Sequence, residues 1–306
     1  MTCSPQQLLF DLDLGEVPRS LNEAFSQRWR ARQASWVRPE DGGFDARRYW
    51  IEPIDEQTAK AYVQTNHYSA SYPAASRRFG LFIDDASSDP LVGVAVFGIP
   101  PHRRVLEGVF PLLEPYSESL ELSRFVLEGE VGGAAGSRAP ANAESWFLAR
   151  CFSELAATGL RGVVAFSDPV PRRGPNGIVL PGHTGAIYQA MGGAIYTGRG
   201  RSGVLTLLPD GTVLNQRSLQ KIRGQERGHE GVERRLCALG ARPRRAGETP
   251  RAWLSTALED LRIIRLRHPG CHRYAFALGM TRRERRQVLC AMPGLSFPKR
   301  PDRAAA

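Results

Sequence analysis

The sequence is poor in cysteine, in lysine and in long apolar runs, and each shortage excludes something. Its five cysteines, Cys3, Cys151, Cys237, Cys271 and Cys290, are scattered and odd in number. None stands in a Cys-x-x-Cys pair, so neither a disulfide framework nor a zinc knuckle is expected, and reduced thiols fit a cytoplasmic protein. The longest apolar run covers residues 90–101. It is too short to cross a bilayer, and its glycines and prolines suit a buried strand, so no membrane partner is expected. The first fourteen residues lack the basic stretch of a signal peptide and carry Asp11 and Asp13. There is no internal repeat, no heptad period and no long low-complexity tract.

What is present is an ordinary globular balance, 42% hydrophobic and 24% charged over 306 residues, enough for one large domain or two modest ones. The charge is unevenly spread. Residues 199–306 hold 23 Lys+Arg against 9 Asp+Glu, a net of +14, whereas residues 1–198 hold 18 against 22, a net of −4. All but Lys60, Lys221 and Lys299 of the 41 cations are arginine, the side chain that grips phosphate through two parallel bonds. The asymmetry predicts a polyanionic partner for the C-terminal third.

Along the chain, residues 1–47 read as an N-terminal arm. Ser20-Leu21-Asn22-Glu23 fits a capping box, with a helix after it carrying Phe25 and Trp29. From residue 48 strands and helices alternate. Strands are predicted near 49–54, 79–84, 91–99, 120–127, 162–166, 194–197 and 204–208. Helices are predicted from Asp55 to about Asn66, from Asn142 to Gly159 and over about 184–191. The order implies a mixed α/β sheet with flanking helices over residues 48–212. Residues 213–306 read as a basic helical extension, with helices near 218–223, 230–239 and 250–261.

Several residues invite a chemical reading beside a structural one. His67-Tyr68 closes the first helix, where a histidine is electrostatically welcome; an imidazole beside a phenol is also a donor pair suited to iron. Arg124 lies in an apolar strand and needs a partner, either Glu121 or Glu144 or a bound phosphate or carboxylate. Asn142 can cap the helix that follows, whose N–H groups, with Glu144 or Ser145 beside them, would face an anion. Asp168 ends a central strand, where open α/β sheets place ligands, and could accept a proton from an amine. Tyr188 is a core aromatic or a general acid. Trp253 and Tyr274 are core residues or wedges into DNA. His102, His229 and His268 read as surface residues.

The succession that ends in Tyr188-Gln189-Ala190-Met191-Gly192 resembles the GNAT acyltransferase fold. Longer strings are more specific: Asn66-His67-Tyr68-Ser69, Phe79-Gly80-Leu81, Leu91-Val92-Gly93-Val94, Glu121-Leu122-Ser123-Arg124, Asn142-Ala143-Glu144-Ser145, Ala165-Phe166-Ser167-Asp168-Pro169, Gly182-His183-Thr184-Gly185-Ala186-Ile187-Tyr188, His272-Arg273-Tyr274 and Phe297-Pro298-Lys299-Arg300. In this order they resemble the Mom family of phage DNA-modification proteins over roughly residues 48–306. The resemblance implies a GNAT-like fold, conversion of adenine in double-stranded DNA to N6-carbamoylmethyladenine, protection of that DNA from restriction, and an association with iron.

Carried residue by residue, the resemblance makes Arg124, Ser145, Asp168 and Tyr188 the catalytic candidates. Ser123, Asn142, His183 and Gly185 become candidates for holding the cofactor or donor, an acyl-CoA or another acyl donor. His67 and Tyr68 are the metal candidates, and Arg217, Lys221, Arg223 and Arg273 the candidates for DNA contact. Two features depart from the pattern. The usual GNAT pyrophosphate loop is not present before Asn142, where only Gly132-Gly133-Ala134-Ala135-Gly136 could supply backbone donors, and residues 170–181 look like an insertion that forms a lid or an extra DNA contact. The competing readings are a coenzyme A-dependent N-acyltransferase acting on a protein or small amine, and a non-catalytic DNA-binding protein with an acyltransferase-like core.

Overall fold

A computed structural model describes residues 26–37, 44–129, 138–175 and 177–299. They divide into two compact units. One comprises Val170–Gly182 and Arg201–Gly270; the other comprises the described residues of Gly15–Pro169, His183–Gly200 and Cys271–Ala306.

The larger unit is built on a seven-stranded sheet. Its strands are β3 (Tyr49–Pro53), β4 (Ala75–Ile83), β5 (Leu91–Gly98), β6 (Ser119–Leu127), β7 (Gly162–Ser167), β10 (Ala194–Arg199) and β14 (His272–Ala277), in the order β10-β14-β7-β6-β5-β4-β3. Every neighbouring pair is antiparallel except β6 with β7. This is the mixed sheet with flanking helices that the alternation predicted, and it is mostly antiparallel, as the resemblance to the GNAT fold implied. Helix α1 (Glu56–Asn66) starts where Asp55 accepts bonds from the Thr58 N–H at 2.8 Å and its hydroxyl at 2.7 Å, and it buries Ala59 and Val63, four apart, toward β4 and β5. The short α2 (Arg104–Glu107) follows β5. Helix α3 (Ala143–Ala157) buries Phe147, Leu148, Cys151 and Leu155 in the same core as Phe97, Leu120, Leu122, Val163 and Phe276. The periodicity of α3 is therefore the reason it lies on the sheet. Helix α4 (Ala186–Gln189) is a single turn between β7 and β10 in the chain.

The N-terminal segment differs from the expectation. Trp29 lies in no helix: Ser26–Arg30 (β1) and Gln33–Val37 (β2) form an antiparallel hairpin. The proposed capping box at residues 20–23 lies outside the described residues. The turn puts Ala31 at φ 47° and Arg32 at φ 65°. Two left-handed residues in a two-residue turn make the backbone twist suit the paired strands, but asparagine and glycine normally fill these places. Here the turn is held from outside. The Asn66 side-chain oxygen accepts from the Ala31 N–H at 3.2 Å, and its carbonyl accepts from the Arg32 N–H at 3.0 Å. The hairpin is no loose arm, since Arg28 and Trp29 are both buried.

The division of the C-terminal third also differs. Strand β14 lies inside the large sheet, between β10 and β7, so residues 271–299 belong to the larger unit. Only residues 201–270 form a separate body, together with 170–182. The segment predicted as an inserted lid folds as the hairpin β8 (Arg172–Gly174) and β9 (Gly177–Leu180) of this smaller unit. Its other strands, β11 (Gly203–Leu207), β12 (Val213–Leu214) and β13 (Ile264–His268), are ordered β12-β11-β13. Helices α5 (Gln216–Gly224), α6 (His229–Ala238) and α7 (Pro250–Asp260) close around Leu219, Ile222, Leu236, Trp253 and Leu254. Trp253 is fully buried and donates its indole N–H to the Arg242 carbonyl at 2.8 Å, so it is core and not a wedge. His268 is buried as well, against the surface reading. Helix α8 (Arg282–Gln287) belongs to the larger unit.

Arg32→Gly should stabilise the protein by about 0.5–1 kcal/mol. Relief of the left-handed strain outweighs the extra freedom of glycine in the unfolded chain, and the backbone bond to Asn66 is kept. Urea unfolding of the two proteins checks this; a less stable glycine variant would show the turn to be unstrained.

Candidate active site

The site begins with the one parallel pair in the sheet. β6 and β7 pair from Ser119 opposite Gly162 to Leu122 opposite Ala165, and there the ladder stops. Beyond it β6 keeps its ladder with β5, and Glu128 just past its end bridges to Trp29 of β1, while Phe166 and Ser167 pair only with Arg273 and His272 of β14. The two strands cease to pair at their carboxyl ends, the position where α/β sheets take ligands. β6 also carries a bulge here: Phe97 faces Leu122 and Val96 faces Arg124, so Ser123 is the extra residue. A bulge re-aims the side chains that follow it, which frees Arg124 from the face that strict alternation would give it.

Arg124 is half-buried and held by oxygens. Its Nε and Nη2 donate to the Ser71 carbonyl at 3.0 Å and the Ser71 hydroxyl at 2.7 Å, and its Nη1 donates to the Ser123 carbonyl at 2.6 Å. No salt bridge to Glu121 or Glu144 forms among the described residues; Glu144 is paired elsewhere. Glu121 lies close enough to feel the charge. Burial pushes its carboxyl above the ordinary range, and Arg124 opposes that shift. Sequence reasoning treated Glu121 only as a partner for Arg124. Its own signal was a carboxylate two residues before Ser123, set between the inward-facing Leu120 and Leu122.

His67 follows α1 and is buried. Its Nδ1 lies 2.9 Å from the Ser69 hydroxyl and accepts from the Ser69 N–H at 3.2 Å. Burial, reinforced by Arg124 and His183, lowers its pKa to about 3, so the ring is a neutral imidazole and not a cation resting on the helix dipole. Tyr68 lies beside it, ring centroids 4.2 Å apart, and Trp29 of the hairpin covers both at 6.2 and 5.1 Å. As a resident iron site this set fits poorly. One imidazole nitrogen is already engaged and the Arg124 cation lies near. His67 also joins no group of three His, Cys, Asp or Glu ligand atoms among the described residues.

Asp168 follows β7, and its carbonyl accepts from the His183 N–H at 2.8 Å. Gly185 opens α4 at φ 80°, and a Cβ there would lie 2.7 Å from Tyr274 Cε2 and 3.0 Å from both Ser167 Oγ and Tyr188 Cδ2. Glycine is therefore required by both conformation and space. Its role is to let Tyr188 settle against Tyr274, ring centroids 5.3 Å apart. Burial pushes the Tyr188 phenol above its ordinary range, and Tyr68, Tyr274 and Glu121 push the same way. The buried Tyr274 donates to the Thr184 carbonyl and accepts from the Gln189 amide at 3.1 Å, so it braces α4 from the core.

The fields thus run pairwise: His67 feels Arg124 and His183, Arg124 feels Tyr68 and Glu121, and Tyr188 feels Tyr68 and Glu121, while the Asp168 backbone holds His183. Ser123 supplies a carbonyl to Arg124 rather than a free ligand group. Asn142 does not cap α3: its φ is 73° and its side chain makes no cap bond. The Ser145 hydroxyl turns back onto the Asn142 carbonyl at 3.2 Å. Residues 132–136 lie outside the described residues.

Two of the DNA-contact candidates change standing. Arg273 is tied into the sheet by bonds to the Thr197 hydroxyl and carbonyl at 2.8 and 3.1 Å, and burial lowers its pKa. Arg217 is paired with Glu226. Lys221 and Arg223, in the last turn of α5, form no ion pair among the described residues.

Residues 48–299 match the family model described as the Mom protein family. No curated protein matches the chain. Among solved structures, a tandem GNAT protein from the clavulanic acid biosynthesis pathway, solved without AcCoA, is similar at 10% identity with a TM-score of 0.31. That match covers 60% of this chain and 62% of the other, so the chain spans less than two thirds of that protein's length.

Glu121→Gln should raise the melting temperature at pH 7–8. A carboxyl whose folded pKa lies above its unfolded value stabilises the fold while protonated and loses that contribution as pH rises through the folded value. The amide removes the cost of a buried charge, so its advantage should shrink as pH falls toward the ordinary carboxyl range. Melting curves across pH check this; an advantage that grows toward acid would reverse the assignment.

Proposed function

The chain belongs to the Mom protein family, and from that premise we propose that it converts adenine in double-stranded DNA to N6-carbamoylmethyladenine. The observation that supports this reading is the end of the β6–β7 ladder, with the Arg124 cation, the Glu121 carboxyl and the Tyr188 phenol linked by their fields on the strands and helix around it.

The chemistry assigned to these residues follows from their state. The exocyclic amine of adenine is engaged in base pairing, so the base must leave the stack at a cost of a few kcal/mol. Asp168, at the end of β7, accepts a hydrogen bond from the amine and orients it. Glu121, with its carboxyl held high by burial, is suited to take the proton as the new N–C bond forms. Arg124 binds the carbonyl or carboxylate of the donor. Tyr188, kept protonated by its surroundings, gives its proton to the group that departs as the donor's C–X bond breaks. His67, neutral and buried, and Tyr68 form the wall beside Arg124. No step is routed through iron, because the donor set at His67 does not by itself hold one.

Net positive charge concentrated in residues 199–306 supports a duplex held by its phosphates. Protection from restriction follows from a modified adenine edge in the major groove, where that edge is read.

Nucleosides from DNA of cells expressing the protein should contain a modified adenine, seen by mass spectrometry. Asp168→Asn and Tyr188→Phe should each lower that yield about a hundredfold or more with little change in melting temperature. Unmodified DNA from cells holding folded wild-type protein would sink the reading.

Binding should weaken steeply with salt. The log–log slope is about 0.9 per phosphate neutralised, so five contacts imply a loss of several hundredfold between about 50 and 200 mM salt. Replacing Lys221 and Arg223 with glutamine should lower the slope by about 2. Arg217→Gln should do less, because Glu226 already balances that charge. An unchanged slope in the double variant would place the duplex elsewhere.

A further inference from the structure

The hairpin of β1 and β2 lies outside the residues that match the family, yet it touches His67 and Tyr68 on one side and the turn that leads into α3 on the other. We propose that this hairpin is a working part of the active site: Trp29 seats the His67–Tyr68 pair, and Arg28 fixes the turn from which α3 starts. The inference rests on the DNA-modifying reading for its activity measurement and on geometry for the rest.

Arg28 is fully buried. Its Nε donates to the Ala139 carbonyl at 2.6 Å, its Nη2 to the Pro140 carbonyl at 2.7 Å, and its Nη1 pairs with Glu144, itself buried in the first turn of α3. One planar fork therefore holds two backbone carbonyls and a carboxylate at once, which lysine cannot do. Trp29, 4% exposed, lies over both rings of the His67–Tyr68 pair. Its carbonyl accepts from the Gly129 N–H at 3.3 Å, just past β6. Gly129 has no room for a side chain, since a Cβ would lie 2.3 Å from Ser35 Oγ and 2.8 Å from Arg28 Cβ. The approach of hairpin to strand is thus set by backbone contact.

The Asn66 bonds to the hairpin turn complete a closed circuit. Asn66 holds the turn, the turn places Trp29, and Trp29 covers His67 and Tyr68, the residues that follow Asn66. Such a circuit fixes position as well as adding stability. Arg28 and Trp29 are positioning residues: they act through the groups they hold.

The test uses the full chain. Arg28→Met with Glu144→Leu removes both charges and the fork while keeping volume, so no lone charge is left buried. This double variant takes the Arg28 donors from the Ala139 and Pro140 carbonyls and should melt below wild type; assayed at a temperature where it is folded, it should turn over DNA about tenfold or more slower and need the same DNA concentration for half-maximal rate. Trp29→Ala should lose a similar factor, and Trp29→Phe should recover most of it. If the double variant does not fold, Arg28→Lys takes its place, with the same loss of turnover expected at a temperature where that variant is folded.

Amide hydrogen exchange supplies a readout independent of activity. Residues 66–71 should lose protection in Trp29→Ala and residues 138–145 in the arginine variants, while the central strands keep theirs. Wild-type turnover in folded arginine variants, or equal turnover in Trp29→Ala and wild type, would overturn the proposal. So would unchanged exchange in both segments. A wild-type protein that leaves DNA unmodified would count against the enclosing reading, and the exchange pattern would then decide the hairpin's role.

Discussion

The buried pair of Arg28 and Glu144 is the constraint that ties the N-terminal hairpin to the start of α3. Removing one partner would leave a lone charge in a place without water, at a cost of about 3–5 kcal/mol. An apolar pair of similar volume would spare that risk, so stability alone does not explain the choice. What the guanidinium adds is direction. Bonds to the Ala139 and Pro140 carbonyls orient the backbone that leads into α3, and the pair with Glu144 fixes the first turn. Any group that depends on the start of α3 inherits its position from a residue more than a hundred places earlier in the chain.

Most of the fold was legible because the sheet and its helices obey simple periodicities. Apolar runs at β5, β6 and β7 and the Phe147–Cys151–Leu155 spacing of α3 point to their partners without further information. Three features were not legible, each for a physical reason. The hairpin Ser26–Val37 has no asparagine or glycine at its turn to announce the left-handed backbone, and the bonds that hold that turn come from Asn66, distant in the chain. β14 lies in a segment whose basic composition suggested an extension, and nothing local tells a strand that it joins a distant sheet. The bulge at Ser123 breaks the alternation on which face assignment depends.

The candidate site was legible to a similar extent. His67, Tyr68, Arg124, Asp168, His183 and Tyr188 come from separate strings, and the fold relates them in pairs: His67 with Arg124 and His183, Tyr68 with Arg124 and Tyr188, and the Asp168 backbone with His183. Glu121 was visible but read only as a counter-ion, since its own perturbation arises from burial that composition does not reveal. Asn142 and Arg273 illustrate the opposite error. Each belongs to a residue type that performs the expected task elsewhere, but the left-handed backbone of the first and the Thr197 contacts of the second commit them to the fold. Among arginines this is a general hazard: charge counts a residue as available before geometry shows what it already holds.

The place of β14 has a consequence for how the protein is made. β7 receives its second neighbour only from residues 272–277, and β10 is joined to the sheet through the same strand. A ribosome must therefore deliver the chain through residue 277 before the sheet is complete. Until then the far side of β7 is an open ladder of N–H and C=O groups able to pair with another chain. A nascent or truncated product that ends before β14 would carry that open edge, and with it a route to aggregation that the finished protein does not have.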